Sequence, residues 1–446
     1  MKVMARRGIR TLRQRFAPNR LMAWQQTDQR RLWRRRRAMI SLLALLALLP
    51  GCRGHRQSLH VLVVPTDRME WLREAFRDQR DWEPLRQEFQ RIHPNVDLQI
   101  TLGSESDVKE TLRKGQSRGL GPDLLLSRGA VAISLLEAGL VRAIPDTPSL
   151  RESLKLVGAN DLKRVNGPRG LAGLPMFSEI TLACFDRRRL RQAPTNVDDL
   201  LAMAASGKPI GLAVEPISLW WSAGALGANT ALASAITGEA TTIGDSNAKD
   251  RAAIEAWLVW LRQVSLQSQV DLASGPQDLT EGLESGRLAW IPCYSLALRR
   301  LERSMGANLG VAPLPKGAGG LPTPSSSIRV WSLGVDSSPR QRELALALAQ
   351  LSLNPLVQRQ LTLGTKMVIP ANRFVPIPVA SSGRLAAIEK AREQFNQTSS
   401  LLVTPYSSDR LQRVVPMIET LISQVMAGVL TPQQGTDALM RLRPHR

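Results

Sequence analysis

Side chains able to do chemistry are sparse in this 446-residue chain. The stretch GQSRG at 115–119 matches Gly-x-Ser-x-Gly, the pattern of an activated serine. Such a serine works from a sharp turn between a strand and a following helix. Here a helical pattern precedes the motif and a strand-like one follows, so we read the match as coincidence. Four histidines, His55, His60, His93 and His445, are too dispersed to form a metal-ligand cluster. No Gly-x4-Gly-Lys-Ser/Thr phosphate loop occurs. Cys184 and Cys293 lie in apolar, strand-like stretches and read as two buried thiols, although an exported chain is able to pair them. What remains is the chemistry of recognition. Tryptophans (10) outnumber phenylalanines (7) and tyrosines (2). Tryptophan marks flat, amphipathic contact surfaces, and sugar rings present such surfaces through their C–H faces.

The elements that must carry these residues alternate. LHVLVV (59–64), NVDLQITLG (95–103) and GPDLLLSRG (121–129) read as strands, with helical spacing between and after them. The pattern then repeats. KPIGLAVE (208–215) and LAWIPCYS (288–295) read as strands, and PTNVDDLLAMA (194–204) as a helix capped by Thr195. DRAAIEAWLVWLRQVSLQS (250–268) has a strongly amphipathic helical period. Alternating strands and helices predict an α/β fold of mostly parallel sheets flanked by helices. The length predicts two lobes.

The amino terminus addresses the chain. Ala38 to Leu49 is an apolar run of 12 residues, broken only by Ser41 and preceded by RRLWRRRR. It is short of the roughly 20 residues a membrane-spanning helix needs, and it has the length of a signal-peptide core. It ends Leu49-Pro50-Gly51-Cys52, which resembles a bacterial lipobox with Cys52 as the lipidated residue. Met22 or Met39 as the start codon, and general or twin-arginine export, remain open. The charge of +21 is largely this leader: residues 1–51 hold 13 Arg/Lys and one acid, leaving +9 on the other 395. That balance does not argue for nucleic-acid binding, because no helix carries a long basic stripe. CFDRRRLRQ (184–192), the densest remaining cluster, reads as a solvated helix start.

Several spaced segments resemble the extracellular solute-binding proteins of ATP-binding-cassette importers, in the family that includes maltose-binding protein. They are GPDLLLSRGAVAISLLEAGLVRAI, LPMFSEITLACFDRRRL, PTNVDDLLAMA, LTEGLESGRLAWI, LGVAPLPKGAGGLPTPSSSIRVWSLGV and GVLTPQQGTDAL, in that order over roughly residues 58–440. Val197 and the Leu and Trp of the fourth segment depart from the usual residues. The resemblance implies a periplasmic-binding-protein-like fold of type II. After a signal peptide (1–51) and a tether (52–58), one lobe would take 59–178 plus 326–373 and the other 179–325 plus 374–446. Ligand would lie in the cleft between them.

The resemblance also implies ligand-binding positions. Glu179, four residues after Pro175, matches a sugar-binding glutamate of the first crossing, where a carboxylate accepts two hydroxyl hydrogen bonds. Glu215 matches a Glu-Pro-aromatic segment in which Ile217 replaces the aromatic. Trp220 or Trp221 would then supply a stacking platform, the other packing in the core. Tyr294 follows a strand where relatives place an aromatic. Trp331 follows the second crossing, Arg329 precedes it, and Tyr406 is a further candidate. On the first lobe Asp67 and Arg68 follow the first strand, and Arg128 ends the strand after Asp123. The Trp and Asp that maltose-binding proteins carry in that last loop are absent, which removes maltose as the obvious ligand. The implied protein is no enzyme and takes no cofactor or metal. It is a monomer, lipid-anchored on the periplasmic side of the cytoplasmic membrane, that hands a sugar or sugar-like polyol to a membrane permease. An anionic solute such as a sugar phosphate, favoured by Arg68, Arg128 and Arg329, is the alternative, as is a membrane-anchored sensor or enzyme.

Overall fold

The computed structural model of the chain describes residues 57–65, 83–238, 246–398 and 409–443. Cys52, the leader, Asp67, Arg68 and Tyr406 lie outside the described residues. The strands are β1 (Gln57–Val63), β2 (Val96–Leu102), β3 (Leu124–Arg128), β4 (Val141–Arg142), β5 (Asn166–Gly167), β6 (Gly170–Leu171), β7 (Leu174–Asp186), β8 (Ile210–Ala213), β9 (Val270–Ala273), β10 (Trp290–Tyr294), β11 (Leu309–Ala312), β12 (Ser326–Gly334) and β13 (Ile369–Pro370). All but β5 and β6 join one continuous mixed path, β2-β1-β3-β12-β7-β10-β8-β9, with β4, β11 and β13 attached at its sides.

Two groups of parallel strands sit at the ends of that path, as the alternating pattern predicts. β1 pairs in parallel with β2 and β3, and β8 pairs in parallel with β9 and β10. Between them run the two longest strands, β7 and β12, antiparallel to each other and to their parallel neighbours. β7 is apolar along most of its 13 residues and buried throughout, because it has a neighbour on both edges. Its first half pairs with β12 and β13 and its second half with β10 and β11.

The register of β7 sets where everything else converges. Arg329 of β12 is opposite Arg128 on one side and Phe177 on the other. Tyr294, the last residue of β10, is opposite Thr181. The carboxyl end of β3 therefore meets β12 at Arg329, which is opposite Phe177 of β7, and the carboxyl end of β10 meets β7 at Thr181, so the two groups of parallel strands approach the same stretch of the crossing pair from opposite sides. Ligand sites in α/β folds form outside strand carboxyl ends, so this convergence locates the candidate site before any side chain is considered.

The helices follow their local chemistry. The helix Val197–Ala205 opens one residue later than the sequence suggests: Asn196, not Thr195, accepts from the Asp199 amide at 2.8 Å, and Asp199 bonds back to Asn196. Asp199 also takes the hydroxyl of Thr195, so the displaced cap still serves the turn. The segment LTEGLESGRLAWIPCYS folds as expected: the helix Pro276–Glu284 ends at a turn with Gly286 at φ 73°, a left-handed conformation natural to glycine, and β10 follows. Among the described residues no helix is long and apolar enough to cross a membrane.

Two corrections concern the interior. Cys184 of β7 and Cys293 of β10 form a disulfide, with Cα atoms 5.8 Å apart, rather than two thiols. Cys184 is directly opposite Ile291, so Cys293 is its diagonal neighbour on the adjacent strand, on the same face two residues along. The apolar context that suggests buried thiols is real, since both are buried; burial and pairing are compatible once strand register brings the sulfurs together. The second correction concerns the tryptophans. Trp220, Trp221, Trp257, Trp260 and Trp290 are all buried in one core with Leu200, Leu212 and Leu258. Trp221 stands edge-on to Trp260 and Trp290, at centroid distances of 6.1 and 5.9 Å.

Candidate functional site

Three elements build the site. β7 and β12 supply its floor. Glu179 is 3 % exposed and Arg329 1 % exposed, and Arg329 donates from Nη2 to Glu179 Oε1 at 3.2 Å. Arg329 also donates from Nη1 to the carbonyl of Val64, just past β1, at 3.3 Å. One guanidinium thereby ties the end of β1 to both crossing strands. The other carboxylate oxygen of Glu179 is buried with no hydrogen-bond partner among the described residues. A buried carboxylate oxygen without a donor is costly, and a ligand hydroxyl is a fitting donor.

The first group of parallel strands supplies the second element. Arg128 closes β3, and Glu105 lies in the turn between β2 and the helix Val108–Gln116. They form a bidentate pair: Arg128 Nε donates to Glu105 Oε2 at 3.0 Å, and Nη2 donates to Oε1. Burial works against the charge of Arg128, but Glu105, with Glu179 and Tyr294 farther off, outweighs it and holds the guanidinium above its ordinary pKa.

The second group supplies the third. Glu215 follows β8 and stands at the N-cap of the helix Pro216–Ala225, where Pro216 opens the first turn. Ser218 Oγ lies 3.5 Å from Glu215 Oε2. Tyr294 ends β10 with its hydroxyl in hydrogen-bonding reach of Ser325 and Ser218. Burial pushes the phenol pKa up, those two hydrogen bonds draw it back, and Glu215 and Glu179 add to the rise. Ser325 in turn meets Thr181 Oγ1 at 2.5 Å, and its carbonyl accepts from the Thr181 amide at 2.9 Å. Ser218 thus lies against Glu215 and Ser325 against Thr181 of β7, with Tyr294 beside both serines.

The structure thus brings together Glu179, Glu215, Tyr294 and Arg128. It does not bring the tryptophans. Trp220 and Trp221 both belong to the core, not one to each environment. The helix Pro216–Ala225 is packed on nearly every side, with only Ile217 exposed to any degree. Trp331 is 2 % exposed, donates from Nε1 to Ser352 Oγ at 3.1 Å and packs in the first core, so it is a structural residue. Asp123 serves the structure, accepting from the His60 amide at 2.9 Å. Glu105, Ser218 and Ser325 were not legible as site residues; nothing distinguishes Glu105 in GSESD and Ser325 in PSSSI from solvated turn residues, or Ser218 in EPISLWW from a helix-start serine. Among the described residues no three His, Cys, Asp or Glu side chains gather to hold a metal.

No protein-family model matches the chain, and neither does any curated protein. Solved structures do match it. The GacH receptor of Streptomyces glaucescens GLA.O, determined unliganded and with acarbose, superposes with a TM-score of 0.63 at 15 % identity, covering 86 % of this chain and 99 % of that one. A cyclo/maltodextrin-binding protein complexed with maltotetraose gives 0.63 at 16 % identity over 88 % and 97 %. An extracellular solute-binding protein from Staphylococcus aureus in complex with maltose gives 0.59 at 16 % over 86 % and 96 %. The chain has the two-lobed α/β fold of these solute-binding proteins, at an identity that speaks to fold alone.

Proposed function

We propose that the protein is the solute-binding component of an ATP-binding-cassette importer and that it captures a neutral sugar or sugar-like polyol. The observation that carries this reading is the approach of two sets of strand carboxyl ends to one stretch of the crossing pair, β3 at Arg329 of β12 and β10 at Thr181 of β7, each bringing polar side chains. A ligand touching Arg128 on one side and Glu215 or Tyr294 on the other selects the arrangement in which both are near, which is how a two-lobed receptor reports occupancy. The polar groups are carboxylates, hydroxyls and a guanidinium, a set suited to hydroxyl-rich ligands. Structural relatives bind maltose, maltotetraose and acarbose.

The charge inventory favours a neutral ligand over the anionic alternative. Arg329 is bound to Glu179 and Arg128 to Glu105, so neither is an unneutralised cation awaiting a phosphate. In this reading the lobes divide near 178, 325 and 373, Cys52 carries a lipid that holds the domain outside the cytoplasmic membrane, and a permease receives the solute. The structural relatives are binding proteins, and the site performs no step of catalysis.

The test is a thermal-shift screen of the purified protein against neutral sugars, polyols and sugar phosphates. Binding to the folded state alone adds about 2.7 kcal/mol of stability at a hundredfold excess over Kd. The expected result is a rise in Tm with one neutral class, lost in Tyr294→Phe and Glu215→Gln. No shift with any hydroxylated solute overturns the reading.

A further inference from the structure

We propose that Glu105 is the charge-selectivity residue of the cleft: by neutralising Arg128 it admits neutral hydroxylated solutes and rejects phosphorylated ones. This rests on the solute-receptor reading above and names a discrimination within it. The pair joins the turn after β2 to the last residue of β3, the two strands that flank β1 in the first parallel group, at their carboxyl ends. Neither residue is needed to fill a core. The Arg128 side chain is 36 % exposed and that of Glu105 15 %, so the pair is a wall of the site and not its interior.

The orientation of the guanidinium supports the assignment. Glu105 occupies Nε and Nη2, leaving Nη1 with no hydrogen bond among the described residues. A neutral hydroxyl needs only that single donor. A phosphate needs net positive charge, because carboxylates nearby repel it. Among the described residues the site holds two arginines and three acids, Glu105, Glu179 and Glu215. Both guanidiniums are engaged by a carboxylate, and Arg128 and Tyr294 both feel the Glu179 charge. Discrimination of this kind comes as much from repulsion of the wrong ligand as from attraction of the right one. Removing the Glu105 charge reverses the local balance and leaves Arg128 as a bidentate donor of the kind phosphates favour.

The experiment compares matched ligands by titration calorimetry, glucose against glucose 6-phosphate and glycerol against glycerol 3-phosphate, with inorganic phosphate as a further probe. The proteins are the wild type, Glu105→Gln, Glu105→Asp and the double variant Glu105→Gln/Arg128→Ala, each checked for folding by circular dichroism. The wild type is expected to bind a neutral member at least tenfold tighter than its phosphate. Glu105→Gln should narrow or invert that ratio by at least tenfold, with a gain that fades at high ionic strength. Glu105→Asp should keep the wild-type preference, and the double variant should lose the gain. A folded Glu105→Gln protein with the wild-type ratio overturns the assignment while leaving the receptor reading intact. A wild type that binds none of these solutes overturns the assignment, and the receptor reading falls with it only if the wider thermal-shift screen also shows no hydroxylated ligand.

Discussion

The protein contains two Arg–Glu pairs within one site, and they differ in almost everything except chemistry. Arg329–Glu179 is buried between β7 and β12, with side chains 1 % and 4 % exposed and a single hydrogen bond of 3.2 Å. Arg128–Glu105 is bidentate and joins the end of β3 to the turn after β2. Each partner of the buried pair has lost its hydration, and each is tolerated only because the other is there. The partners of the open pair keep part of their water, so the pair contributes little to folding and its charge is available to a ligand. Surroundings, not residue type, make the first a structural tie between crossing strands and leave the second open to the recognition role proposed for it.

The largest expected effect breaks the buried pair. Arg329→Met alone strands the Glu179 carboxylate in the interior and should cost about 3–5 kcal/mol, read as a lower urea midpoint with unchanged slope. Arg329→Met combined with Glu179→Leu should recover most of that loss. If the single variant is as stable as the wild type, the contrast between the pairs collapses.

Next comes the disulfide, which lies close to the floor of the site because Cys293 precedes Tyr294. It spans 109 residues, and its loss should cost about 2–5 kcal/mol. Denaturant unfolding of the Cys184→Ala/Cys293→Ala variant measures this. Trp331→Phe, which removes the bond to Ser352 but keeps most of the packing, should cost about 1 kcal/mol.

Arg128→Ala sharpens the comparison from the other side. It should lower stability by no more than about 1 kcal/mol while ligand affinity falls severalfold or more. A large loss of stability there would make the open pair as structural as the buried one.

The smallest effect is at the far end of β7. A hydrogen bond from Arg188, opposed in part by burial, holds the buried Asp186 carboxyl below its ordinary pKa. Its contribution to stability is therefore present above the ordinary aspartate range and fades as pH falls through the lowered value. Wild type minus Asp186→Asn, followed by denaturant midpoint, should shrink on acidification below about pH 4.

Some of this was readable from residue order. The strands β1, β2, β3, β8 and β10 follow from β-branched and aliphatic runs bounded by turn residues, which encode local conformation directly. Arg128 and Tyr294 end strands, Glu215 follows one and Glu179 lies inside the crossing strand, each in a segment that the family resemblance singles out. The two adjacent tryptophans were misassigned for a physical reason. A helix buried on nearly all sides loses the apolar–polar contrast that tells which face meets solvent, and Pro216–Ala225 is such a helix. Glu105 was invisible because its partner lies 23 residues away at the end of another strand.

The sequence by itself determined the alternation of strands and helices, the apolar continuity of the crossing strand and the identity of most polar groups at strand ends. Those are properties of neighbours along the chain. Only the tertiary structure decided which charges meet, that the two cysteines pair, and that the tryptophans fill a core. Each depends on register between strands separated by tens to hundreds of residues, and a shift of one residue would turn every side chain of a strand to the opposite face.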